Sequence, residues 1–363
     1  MNKLNKTLIG LAAASITIAC GGNTEEPNKE KEATKETIPA FDISQIDSTV
    51  HPCEDFEHYA VGNWLKNNPV PESESRWGSF SVLDESNKEK IKAIIKEATN
   101  ANGKKGSYEQ QVGDFYASAM DSTKADELGI KPIEPLMAQI DAVTNVQELV
   151  ETMTKMRRAG SGSIFSYYVH IDSKNSTQHI TYVGQGGLGL PDRGYYTPKD
   201  ERGEMILNEY EKHIAALFKL AGEDDETAAA NAKSVVELES ILAKNSMDKT
   251  VARNPELTYN KMTLDELQKL NTAIDWRSFF ESAGIKGIDE VVVRHTEYIQ
   301  KLDMAFKKPI NTWKTYMKWH LLNDMASNLS SDFEQQKFDF YATTMRGTKQ
   351  MKPRWKRALE KCD

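Results

Sequence analysis

The residues with most chemical potential lie in "HPCEDFEHYAVGNW", where His51, Cys53, Glu54, Asp55, Glu57 and His58 crowd eight positions with metal-capable side chains. Glu54 and His58, four apart, would share a helical face. The spacing fits no zinc template, and neither H-E-x-x-H nor Cys-x-x-Cys occurs anywhere in the chain. The competing reading is an amphipathic helix with Phe56, Tyr59 and Ala60 inward and acids in its first turn, where the helix dipole favours them. The glycines of "GQGGLGLP" lack the G-x-G-x-x-G register and any following Gly-Lys-Ser/Thr, so the loop reads as close backbone packing around Leu188 and Leu190 rather than a phosphate cradle. His320 and Asp324 are one turn apart, the spacing of a base and its orienting acid. Flanked by Trp319 and Leu321, His320 reads instead as a packed or half-exposed helix histidine. No G-x-S-x-G motif supplies a nucleophile.

Helices would position these groups. Ile91, Ile94, Ile95 and Ala98 continue the row of Leu83 and Asn87, which predicts a helix from about Phe80 to Thr99. Ser107 with Gln110 caps the next, whose buried stripe should be Val112, Phe115, Tyr116 and Met120. Asn145 with Glu148 starts another that stops at Gly160, and Thr263 with Glu266 caps a short one. Further helices are expected from about Lys199, over about Glu223 to Asn245, around Trp313 to Leu321, and from a Ser331–Glu334 capping box. Alternation over Phe165, Tyr167, Val169 and Ile171, then "DSKNS", predicts a hairpin with Ile180 to Val183, and Val291 to Val293 reads as a lone short strand. The fold class expected is mainly α with a minor β-hairpin.

The last residues read as another helix opening at Pro353, with Trp355, Ala358, Leu359 and Cys362 on one face. Trp355 and Leu359 are expected as exposed apolar surface.

At the other end, Lys3 and Lys6 precede an apolar run from Leu8 to Ala19, too short to span a bilayer and shaped like a secretory signal. "SITIACGGN" resembles a bacterial lipoprotein signal, with Cys20 as the lipidated residue, although Thr17 stands where leucine is usual. Residues 1–19 are then the signal, and 20–40, charged and almost without large apolar side chains, a tether. Residues 41–363 are the folded part. The chain is expected to be exported and membrane-anchored, periplasmic or at the outer membrane or cell surface. With 363 residues, 39% hydrophobic and a formal charge of −8 from 46 basic and 54 acidic side chains, it has enough apolar material for a core and no basic stripe for nucleic acid.

Taken together, "HPCEDFEHYAVGNWLKNNPVPESESRWGSF", "QVGDFYASAMD", "QGGLGLPDRGYY", "RNPELTYNKMTLDEL" and "FDFYATTMRGTKQMKPRWKRALE" resemble the N-terminal portion of the neprilysin and endothelin-converting-enzyme family of zinc metalloendopeptidases. The resemblance implies the α-helical cap of a chamber that admits oligopeptides, with Arg76 gripping the carboxyl side of the bound peptide. An exposed Arg76 paired with Glu72 or Glu74 is the alternative. It further implies a zinc site and catalytic residues in a second half, so this chain is expected to bind no zinc and to be inactive alone. That half is the expected partner, in cis or in trans, beside the membrane reached through the lipid anchor. Asp84 stands where some relatives carry an auxiliary arginine, which argues against a preference for C-terminal dipeptides. Cys53 matches a bridging cysteine whose partner is absent, and Cys362 matches none, so both are expected as free thiols. Two other readings are a non-catalytic, surface-tethered peptide-binding module and a metal enzyme centred on His51 to His58.

Overall fold

The computed structural model describes residues 42–101, 103–162 and 164–362. The signal, Cys20 and the tether lie outside the described residues. The chain divides into two compact units, one ending at Asn67 and one beginning at Asn68.

In the first unit, α1 (Phe56–Asn67) follows a short 3₁₀ turn at Ile43–Gln45. Asp47 ties them together: its backbone N–H donates to the Tyr59 carbonyl at 2.8 Å, and its buried carboxylate accepts from Lys66 and Thr49. Those two hydrogen bonds hold the carboxyl down at about 2. Gly62 is needed beside it, since a Cβ there would stand 2.9 Å from the Asp47 Cβ.

The second unit is mainly α, as expected. In chain order it comprises α2 (Ser79–Asn100), α3 (Tyr108–Met120), α4 (Ser122–Leu128), α5 (Glu134–Ala142), α6 (Val146–Arg158), β1 (Phe165–Asp172), β2 (Asn175–Gln185), α7 (Glu201–Leu220), α8 (Asp225–Asn245), α9 (Pro255–Thr258), β3 (Asn260–Thr263), α10 (Leu264–Leu270), α11 (Trp276–Ser282), β4 (Glu290–Val293), α12 (Thr296–Ala305), α13 (Ile310–Met325), α14 (Ser331–Phe338) and α15 (Arg354–Leu359). A π-helical turn, Asp339–Thr344, continues α14. The caps at Ser107, Asn145 and Thr263 form as the sequence predicts, Thr263 and Glu266 making the full reciprocal box.

Four expectations need correction. The strand at Val291 to Val293 is not alone: it pairs parallel with β2 and antiparallel with β3, giving the order β1-β2-β4-β3. Val291 and Val293 join the main core and Val292 a small cluster with Ile180 and Tyr182, so both faces of β4 are covered, which accounts for an unbroken apolar run. On α3, Gly113 rather than the apolar stripe is buried, because the glycine lets α2 approach closely: its Cβ would lie 3.2 Å from the Thr99 Cα. Val112, Phe115 and Met120 face outward. Third, Ser331 and Glu334 form no capping box; Ser331 donates to Asp126, and Glu334 takes a two-pronged bond from Arg357 at 2.9 Å, so long-range partners displace the local cap. Finally, α15 is not left uncovered. Ala358 and Leu359 are each 2% exposed in a helix packed on α2 and α3, and Lys92 lies 3.8 Å over the half-buried Trp355 ring.

Candidate functional site

Arg76 stands in the segment leading into α2, two residues before Gly78, the N-cap of that helix. It is exposed, and among the described residues it makes no ion pair. Neither acid expected to claim it does so among the described residues: the Glu74 carboxylate meets Lys352 at 3.2 Å, and the Glu72 backbone carbonyl, accepting from the N–H groups of Lys349 and Gln350 at 3.0 Å, fixes the segment without bringing its carboxylate to Arg76. The guanidinium is therefore free beside the positive end of a 22-residue helix. Asp84, one turn into that helix, is held by Lys88 at 2.8 Å. Burial alone would lower the Lys88 ammonium, but Asp84 and Glu360 keep it above its ordinary value, so the Asp84 charge is met within the protein.

The His51–His58 residues do not assemble as a metal site. Because α1 begins at Phe56, Glu54 precedes the helix and shares no face with His58, and Phe56 is 68% exposed rather than inward. His58 Nδ1 meets Asp55 Oδ2 at 2.7 Å, and His51 Nδ1 accepts from the Cys53 N–H. Among the described residues no three His, Cys, Asp or Glu side chains converge as a metal-binding group. Cys53 and Cys362 are free thiols.

His320 is buried on α13, and its acid partner is not Asp324. Its Nε2 lies 2.8 Å from Oε1 of Glu239 on α8, a residue the sequence reading passed over. Glu239 is fully buried, and its Oε2 accepts from the hydroxyls of Tyr196 at 2.6 Å and Tyr210 at 2.7 Å. Burial, followed by the Glu239 charge, pushes both phenols well above their usual range, so they stay protonated as donors. Asp324 instead accepts from Ser161 Oγ at 2.9 Å and the Gly162 N–H at 2.6 Å.

Above this cluster, the glycine-rich loop is clamped by tyrosines. Tyr298 donates to the Gly186 carbonyl at 2.9 Å, Tyr316 to Gly187 at 2.8 Å and Tyr341 to Gly189 at 3.0 Å. The loop is thus close packing, as the sequence suggested. Gly187 needs its φ of +76°, and a Cβ on Gly189 would stand 1.9 Å from the Tyr210 hydroxyl. Since Glu239 holds that hydroxyl in place, Gly189→Ala should destabilise the protein by about 2–3 kcal/mol, read as a lowered urea midpoint at unchanged slope.

His213 on α7 stacks on Phe340 with ring centroids 4.9 Å apart, and its Nε2 meets Asn323 Oδ1 at 3.3 Å. Burial lowers its ring to about 4, and burial with nearby Arg294 does the same to His295. Both rings are neutral in the fold and take up a proton near 6.5 on unfolding. The unfolded state therefore binds more protons between those values, so this contribution is intact above about pH 6.5 and is lost as the pH falls towards 4. In His213→Phe the stability difference between pH 7.5 and pH 5 should shrink by about 2 kcal/mol, measured from urea midpoints. An unchanged difference would exclude His213 as its source.

Comparison with known proteins gives this geometry its setting: residues 52–363 match peptidase family M13. Endothelin-converting enzyme 1 of Cavia porcellus is 34% identical over 96% of this chain and 47% of its own length. Neprilysin-3 of Drosophila melanogaster is 30% identical over 80% of the chain and 40% of its length. Among solved structures, the zinc metalloprotease Zmp1 of Mycobacterium tuberculosis in complex with an inhibitor superposes with a TM-score of 0.84 at 31% identity, covering 88% of this chain and 49% of that one. A mainly α unit with a small mixed sheet is thus the N-terminal portion of a neprilysin- or endothelin-converting-enzyme-like metallopeptidase. The chain belongs to peptidase family M13, and it spans about half the length of the curated relatives it matches.

Proposed function

We propose that this chain is the cap and substrate-access portion of a lipid-anchored zinc metalloendopeptidase acting on oligopeptides, with Arg76 gripping the carboxyl side of the peptide. Residues 41–363 form that portion, tethered through Cys20. Among the described residues no helix is long and apolar enough to cross a membrane. Zinc, which activates a water molecule for peptide hydrolysis in such enzymes, does not fit the described side chains of this chain, and no step of hydrolysis is assigned to them. Zinc and its chemistry belong to a catalytic half supplied in cis or in trans.

The observation that carries this reading is the uncovered apolar face of α2 and α3. Phe80 is 89% exposed, Leu83 53%, Ile94 64%, Tyr108 86% and Phe115 50%, a set of large side chains that a self-sufficient surface rarely presents together. It supports a packing partner, and relatives about twice as long supply the candidate. Joining the chain to an M13 catalytic half should give chelator-sensitive peptide hydrolysis, and Phe80→Glu with Ile94→Glu should weaken assembly of the two halves in trans. Assembly indifferent to both substitutions would contradict the assignment of that face.

A further inference from the structure

A cleft of about 470 Å³ lies between the glycine-rich loop, α13 and the stretch from α14 to Arg346, within the size range of small-ligand sites. Groups of both charges line it. On α13, His320 and Asp324 both line it, one turn apart. A carboxylate only accepts hydrogen bonds, so the bond to Glu239 places a proton on His320 Nε2, and in the neutral ring Nδ1 carries the lone pair. That nitrogen has no partner among the described residues, although the residue is only 7% exposed. It borders the cleft at Gly162, where a Cβ would come within 3.9 Å of Nδ1 and 3.3 Å of Asp324 Oδ2. Asp324 uses Oδ2 on Ser161 and Gly162, and Oδ1 has no partner among the described residues.

Two cationic side chains also line the cleft. Lys337 is half-buried with its ammonium on the Asn323 carbonyl at 2.8 Å and 3.5 Å from the Asp324 carbonyl, at the same end of α13 as Asp324, whereas Arg346 is exposed without an ion pair among the described residues. The two acceptors on α13 match a protonated amine, and the Arg346 guanidinium matches a carboxylate.

We propose that this cleft binds a small zwitterion with a free α-amino and a free α-carboxylate group, a single amino acid or a dipeptide, its ammonium between His320 Nδ1 and Asp324 and its carboxylate on Arg346. The inference draws on the cleft's own groups and stands independently of Arg76.

Calorimetric titration of the full chain with leucine, Gly-Leu, N-acetyl-Gly-Leu and Gly-Leu amide tests it. Leucine or Gly-Leu should bind saturably, and blocking either end of Gly-Leu should weaken binding about tenfold or more. Arg346→Gln, on the surface, should leave the melting temperature unchanged and bind the free dipeptide no better than its amide. No saturable binding of leucine or Gly-Leu, equal binding of the blocked peptides, or an Arg346→Gln protein that still prefers the free carboxylate would each overturn the proposal.

Discussion

Glu239→Ala should lower the unfolding free energy by about 3–5 kcal/mol, because it strands three buried partners at once. The hydroxyls of Tyr196 and Tyr210 and the Nε2 of His320 all converge on this one fully buried carboxylate. Glu239→Gln should cost less, about 2 kcal/mol, since the amide keeps one acceptor but turns a donor towards groups that already donate. The measurement is the urea midpoint. A combined variant, Glu239→Leu with Tyr196→Phe, Tyr210→Phe and His320→Leu, should recover much of the loss, because it removes every polar partner together. A Glu239→Ala protein within 1 kcal/mol of the unaltered one would show that the network is dispensable.

Arg76→Ala, in the chain joined to an M13 catalytic half, should raise KM for oligopeptides about 10–100-fold and leave kcat within a factor of a few. A charge-assisted bond to a carboxyl or carbonyl group contributes about 1.5–3 kcal/mol, and one remote from the reacting bond acts equally on ground and transition states. Arg76→Lys should recover part of the loss, since a point charge remains while the planar fork is gone. The expectation rests on a guanidinium that neither Glu72 nor Glu74 occupies. A fall in kcat with KM unchanged would place Arg76 outside peptide binding.

Much of the helical framework is legible from periodicity and caps, because Ser107, Asn145 and Thr263 act on neighbours three residues away. What periodicity cannot decide is which partner an apolar stripe faces. Val112, Phe115 and Met120 keep helical spacing yet point outward, while Gly113, invisible to a hydrophobicity count, makes the contact with α2. The four-residue strand β3 is missed because "NKMT" is short and polar, and its place depends on a partner thirty residues away. At the buried cluster the pair at spacing four, His320 and Asp324, is the visible one, whereas the true acid comes from another helix. A signal was present: Glu239 occupies the i+4 position from Val235 and i−3 from Leu242, so a charge interrupts the buried stripe of α8. Arg76 was reached through family resemblance, since nothing in the spacing of "ESESRWGSF" marks it.

The central claim, that water activation for hydrolysis lies outside this chain, is tested most directly by metal analysis combined with a peptide-hydrolysis assay on the purified 363-residue protein, alone and with an M13 catalytic half. The expected result is no stoichiometric zinc and no turnover for the protein alone, with both appearing when the half is supplied. Tightly held zinc together with hydrolysis by the protein on its own would contradict the account.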